Sequence, residues 1–303
     1  MDIAIMVEGQ DGLTWPRWQN MARAVEDLGF SGLFRSDHFT NATAPEKDSL
    51  ELWVALTWLA SHTKRIEFGP LVSPVSFRHP ALTARMASAV DDLSGGRLVL
   101  GLGAGWQKRE HEMFGFDLLE PSPRFDRFEE GLEVITRLFN SDDPVTFEGQ
   151  YFQLHDAILL PRPARRGGPR IAIGGNGLRR TLPYVARFAN EWNAVYLPAG
   201  ELKSLNDKLD LLLDSAGRPR DSVRRSVMLG CVYGQTPERL QEKLSVGNRS
   251  FEDWRQLGAV VGTGGQIRDQ LKEVELAGIQ RVMLQWLGVD DLAGLATLAH
   301  EIL

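Results

Sequence analysis

Two glycine clusters carry the first chemical signal. Gly174-Gly175-Asn176-Gly177 closes one short apolar run, and Gly101-Leu102-Gly103-Ala104-Gly105 closes another. Glycine lets the backbone approach a ligand closely, and successive N–H groups ahead of a helix can grip a phosphate. Arg179 and Arg180 follow the first cluster, within a stretch, 157–190, that holds seven arginines and no acidic residue. In a chain of net charge −6, that local excess points to an anionic ligand and away from general nucleic-acid binding. The pair Asp37-His38, one step beyond another apolar run, offers a group that can donate a hydrogen bond or carry a proton near neutral pH. Met6, Trp106 and Trp286 stand at the ends of further runs and are candidate substrate contacts. Taken singly, the glycines could form a tight turn and the histidine could be structural. Neither metal nor serine chemistry is supported: there is no H-x-H, H-E-x-x-H or G-x-S-x-G, and the six histidines do not cluster. The remaining parts suit an anionic, planar cofactor that brings its own reactivity.

These residues need a scaffold that gathers strand ends. Eight apolar runs, DIAIMV, SGLFRS, RIEFGPLV, RLVLGLGAG, RIAIGG, EWNAVYL, SVMLGCVY and RVMLQWL, alternate with helical patterns over 15–28, 50–62, 80–93, 177–189 and 201–216 and a final helix ending at Leu303. In the 80–93 segment Leu82, Met86, Ala89, Val90 and Leu93 share one face, and Gly95-Gly96 stop it in the manner of a left-handed cap. The rhythm predicts a closed (β/α)8 TIM barrel occupying 1–303 as a single domain, with its site at the C-terminal strand ends. It is interrupted after strand four by a helix over 124–139 and a hairpin turning at Gly149, and after strand seven by extra helix between 236 and 278. An open doubly wound sheet is the alternative, but EGQDG follows the first strand where G-x-G-x-x-G would be expected.

Composition sets the remaining bounds. With 43% hydrophobic residues the chain can build a large core, and no run of about 18 apolar residues suggests a membrane span. The opening Met1-Asp2-Ile3-Ala4-Ile5 reads as a strand and not as a leader. The lone Cys231 reads as a small buried apolar residue and fits a reducing, cytoplasmic setting.

Together SDHF, LVSPVSFRHPAL, SGGRLVLGLGAGW with Glu110-His111 after it, RFDRFEEGLEVI and IAIGGNG resemble the bacterial luciferase-like monooxygenase superfamily, in its coenzyme F420-dependent oxidoreductase branch. The resemblance implies that Asp37 and His38 are catalytic. It implies that Leu71-Val72 forms a strand-three bulge behind the ring, often with a non-proline cis peptide. Ala104, Gly105, Gly175, Asn176 and Gly177, with Arg180, are then expected to hold the cofactor's phosphate end. Sugar-phosphate dehydrogenases of this type carry an acidic residue after the strand-four glycines, where this chain has Trp106. The implied activity is F420-linked hydride exchange with a small organic substrate. An FMN-dependent monooxygenase served by a separate reductase and a non-catalytic flavin-binding barrel are the alternatives. The expected partners are a small-molecule substrate, a second copy of the chain and a flavin or F420 reductase, with no nucleic acid, membrane or metal.

Overall fold

The computed structural model describes residues 1–247 and 249–303. All eight expected runs form strands. In chain order the strands are β1 (Asp2–Val7), β2 (Gly32–Arg35), β3 (Glu67–Pro70), β4 (Ser73–Pro74), β5 (Val99–Gly103), β6 (Val145–Glu148), β7 (Gln153–Ala157), β8 (Arg170–Gly174), β9 (Glu191–Val195), β10 (Arg224–Tyr233), β11 (Ala259–Gly262) and β12 (Arg281–Gln285). The helices between them are α1 (Trp15–Leu28), α2 (Leu52–His62), α3 (Pro80–Ser94), α4 (Lys108–Phe114), α5 (Pro121–Asn140), α6 (Thr181–Phe188), α7 (Ala199–Ser215), α8 (Pro237–Gly247), α9 (Phe251–Gln256), α10 (Gly264–Leu276) and α11 (Leu292–Ile302).

The barrel is parallel throughout and runs β1, β2, β3 with β4, β5, β8, β9, β10, β12 and back to β1. A bridge from Phe68 to Leu98, the residue before β5, links β3 to that strand. Strands buried on both faces need nearly continuous apolar sequence, which is why these runs stand out. The insertion after β5 contains α4, α5 and the β6–β7 hairpin, whose turn is tied down by Glu130 on α5 through the amides of Gln150, Tyr151 and Phe152. The insertion after β10 contains α8, α9 and β11, which the sequence reading missed; β11 pairs with the C-terminal half of β10. Helix α3 forms as expected. Its buried face is Ala84, Ala87, Val90 and Asp91, while Leu82 and Leu93 of its apolar stripe are exposed. Among the described residues, no helix is long and apolar enough to cross a membrane.

Inside the barrel the side chains lie in layers. At the N-terminal floor Arg281, nearly inaccessible, pairs with Glu67 and Glu191, and Arg170 and Arg224 also reach Glu67. Burial pushes the Glu67 carboxyl up, but Arg281 and Arg170 outweigh it and hold the group below its usual range. Above this layer sit Ala4, Phe34, Val99, Ala172 and Met283, an apolar cluster with one ring in it. At the top, the chain between β3 and β4 bulges at Leu71-Val72, where the peptide is cis. Val72 presses across the barrel against strands that carry no side chain to meet it. A Cβ at Gly103 would lie 2.6 Å from Val72 Cγ2, and one at Gly174 would lie 3.0 Å from Val72 Cγ1. Gly101 leaves room for the backbone itself, since a Cβ there would lie 2.0 Å from the Pro70 carbonyl oxygen. Two of the three glycines in the cluster that closes β5, Gly101 and Gly103, therefore accommodate the bulge.

This packing makes a prediction. Gly103→Ala destabilises the fold by about 1–3 kcal/mol through overpacking against Val72. Combining it with Val72→Ala costs less than the sum of the two single changes in urea denaturation. Strict additivity would show that the two side-chain positions do not compete for the same space.

Candidate active site

A cavity of about 540 Å³ opens at the C-terminal mouth of the barrel. Ten of the thirteen sequence-selected residues line it: Met6, His38, Leu71, Val72, Ala104, Gly105, Trp106, Gly175, Asn176 and Gly177. Its floor is apolar, built from Met6, Leu71, Val72, Val195 and Met228. Glu8, Tyr196, Phe125 and Thr181 complete the walls; these were not selected from sequence, although Glu8 directly follows a strand.

His38 is anchored through Nδ1 to Glu110 Oε1 at 2.8 Å, leaving Nε2 as the other ring nitrogen. Glu110 is almost fully buried, and its second oxygen accepts from the Phe39 amide at 3.1 Å. Burial works against a charge on His38, but the Glu110 hydrogen bond and charge outweigh it and raise the pKa above 6.5. Helix α4 delivers this carboxylate, and the next residue, His111, receives a hydrogen bond from Ser76 on the loop after β4 at 2.8 Å. The Glu110-His111 pair was visible as a motif, but its partners lie some 35 and 72 residues away. Nothing local in the sequence names them.

Three expected residues sit elsewhere. Asp37 does not line the cavity; its carboxylate accepts from Ser73 Oγ at 2.7 Å and from Arg78 at 2.5 and 3.3 Å. Burial pushes the Asp37 carboxyl up against the pull of Arg78, while Asp37 and Glu51 hold the Arg78 guanidinium above its usual range, and the contact ties the end of β2 to the bulge. Trp286 is packed with its indole N–H on the Gly288 carbonyl at 2.7 Å. Arg180 pairs with Asp126 at 2.9 Å and lies outside the cavity lining.

The basic stretch also reads differently in three dimensions. Arg165, Arg170, Arg180 and Arg187 pair with Asp91, Glu67, Asp126 and Glu129, and Arg162 donates to the carbonyls of Ser141 and Asp142. Much of its positive charge is thus met by acids from other segments. Helix α6 begins at Thr181, so Arg179 and Arg180 belong to the turn before it. Asn176 spends its side chain on β9, donating to the Val195 carbonyl at 2.8 Å and accepting from its amide at 3.0 Å. What these loops present to a ligand is backbone. Gly105 has φ +87° and Gly175 φ +123°, conformations natural to glycine, and a Cβ at Gly177 would lie 2.8 Å from Thr181 Oγ1. This cradle of bare backbone beside a flat apolar floor fits a phosphorylated planar ring. Cys231 plays no part, because burial pushes its thiol up to about 12.

The model of the luciferase-like monooxygenase family matches residues 4–281. The chain belongs to that family. This luciferase-like protein is 27% identical over 278 residues to an F420-dependent glucose-6-phosphate dehydrogenase of Kineococcus radiotolerans, covering 90% of this chain and 79% of that one. It is 31% identical over 263 residues to a 4-hydroxyprotoasukamycin monooxygenase of Streptomyces nodosus subsp. asukaensis, covering 82% and 68%. An F420-dependent secondary alcohol dehydrogenase, solved with an F420-acetone adduct, superposes with a TM-score of 0.85 at 17% identity over 100% of this chain and 98% of that one.

The His38–Glu110 pair is directly testable. In Glu110→Gln the His38 pKa falls, read from its ring ¹⁵N shifts; an unchanged titration contradicts the pairing. Because the folded pKa lies above the unfolded value of 6.5, the pair stabilises fully below that pH. Its contribution fades as pH rises through the folded value, a slope that Glu110→Gln flattens.

Proposed function

We propose that this protein is an oxidoreductase that binds coenzyme F420 in the 540 Å³ cavity and uses His38 to handle the substrate's proton. The observation that carries the reading is the juxtaposition of a bare-backbone cradle, an apolar floor and an ion-paired histidine around one cavity. The F420-dependent relatives of similar sequence and fold support it. A bound deazaflavin supplies two-electron redox chemistry without readily activating oxygen. The chain's own residues do the rest. Leu71 and Val72 support the ring face, while the N–H groups around Gly105 and Gly175–Gly177 face the phosphate. Glu110 fixes the tautomer and orientation of His38, whose Nε2 hydrogen-bonds or exchanges a proton with the substrate oxygen. Asp37 acts at one remove, holding the β2 end and the bulge together through Arg78 and Ser73. A monooxygenase relative at 31% identity keeps FMN as the second reading, since the same cradle would take its phosphate.

Fluorescence titration of the purified protein with oxidised F420 and with FMN separates the two. Binding of F420 at least about tenfold tighter, a difference of ~1.4 kcal/mol, is expected; tight FMN binding without F420 affinity overturns the reading. Gly177→Val, which fills the cradle, weakens F420 about tenfold or more but its phosphate-free ring analogue little. Equal loss for both ligands counts against the phosphate assignment.

We also propose a homodimer that covers the apolar residues left outside on neighbouring helices, Val54 on α2 with Leu82 and Leu93 on α3. Leu82→Glu is expected to shift the light-scattering mass from two chains to one; a wild-type monomer refutes the assignment.

A further inference from the structure

A second cavity of about 480 Å³ adjoins the first and shares Glu8, His38 and Trp106 with it. Its outer wall is the loop 41–47, and Leu287 closes the side. His38 therefore stands between two chambers, and with the cofactor assigned to the first, the second is where a substrate oxygen can meet it.

The chemistry of this chamber is specific in two ways. First, its positive groups are already matched. Lys47 is paired with Asp11, Arg109 behind the loop with Glu46, and Arg17 in the adjoining groove with Asp290. Glu8 contributes a carboxylate whose oxygens accept from Gln285 at 2.6 Å and Gln10 at 2.9 Å. Among the described residues lining the chamber, then, no Lys or Arg is free of a carboxylate, and an anionic substrate would lose its water without gaining a counter-charge. Second, Trp106 is 63% exposed although its indole faces the concave wall, edge-on to His38 at 5.5 Å. Leu287, 55% exposed, is the other large apolar side chain there. Apolar area held open around a concave polar centre is what a small-molecule site presents before it is filled.

We propose that this chamber is the substrate site, that it takes an uncharged alcohol or ketone whose flat apolar body lies on Trp106 with its oxygen toward His38, and that it rejects phosphorylated and carboxylated compounds. The inference rests on the first cavity being the cofactor's, but its test does not need the cofactor. Full-length protein labelled with 5-fluorotryptophan is titrated with acetophenone, 4-acetylbenzoate and glucose 6-phosphate, and the Trp106 ¹⁹F resonance is assigned from Trp106→Phe. Acetophenone is expected to shift that resonance saturably and to bind at least about tenfold tighter than 4-acetylbenzoate, with no saturable shift from glucose 6-phosphate. Trp106→Ala, followed through the remaining indoles or by calorimetry, weakens acetophenone about tenfold, whereas Trp106→Phe keeps most of the affinity. Thr43→Arg, which adds an unmatched cation at the exposed loop, improves 4-acetylbenzoate binding. Equal or tighter binding of either anion by the wild type, an acetophenone affinity indifferent to Trp106→Ala, or no response to any probe overturns the proposal. Loss of F420 binding with these results intact would sink the cofactor reading and leave the substrate class standing.

Discussion

The top of this barrel is organised around the volume of one side chain. Val72, carried on the bulge between β3 and β4, projects into the space that neighbouring strands would fill with their own side chains. Gly101 and Gly103 on β5 and Gly174 on β8 yield that space to the bulge, and the surfaces of Leu71 and Val72 become the floor of the cavity. Close-packed interiors leave no slack for such an intrusion, so a larger residue at any of these positions displaces the floor. The Asp37–Arg78 pair and Ser73 hold the same bulge from the side, which couples the end of β2, and with it His38, to the floor. The position of the cavity floor and the position of His38 are thus set by one contiguous contact set.

Charge is distributed to match. The N-terminal floor of the barrel concentrates Arg281, Arg170, Arg224, Glu67 and Glu191 in a closed network. Removing one partner of a buried pair of this kind typically costs about 3–5 kcal/mol, so this end reads as stability. The mouth instead keeps few charges, each with an assigned neighbour: His38 with Glu110, Glu8 with two amides, Asp37 with Arg78. A site with sparse, pre-paired charges and an apolar floor can orient a planar group without competing for it electrostatically.

Much of the barrel could be read from the chain because buried parallel strands impose continuous apolar runs and helices impose a 3.6-residue period. Strand β11 escaped because Ala259-Val260-Val261-Gly262 is too short to separate from the helical sequence around it. The apolar stripe of α3 was real, but period alone does not say whether it faces the core, and Leu82 and Leu93 face outward. The cavity-lining glycines Gly105, Gly175 and Gly177 were legible because glycine-rich strand ends stand out, although Gly101, Gly103 and Gly174 in the same clusters serve packing instead. Arg180, Trp286 and Asp37 were not placed correctly relative to the cavity, since each is claimed by a partner distant in sequence or by its own loop: Asp126, the Gly288 carbonyl and Arg78. Long-range pairing is what local pattern omits, and Glu110 on His38 is the case with the greatest chemical consequence.

The central claim is that one cavity holds a deazaflavin with its ring on the Leu71-Val72 bulge and its phosphate on bare backbone. A crystal structure of the protein with oxidised F420 tests this most directly. The account predicts the ring stacked over Val72 and the phosphate oxygens within hydrogen-bonding distance of N–H groups around Gly105 and Gly175–Gly177. A phosphate held instead by Arg179 on the basic stretch, or a ring seated away from the bulge, would contradict it.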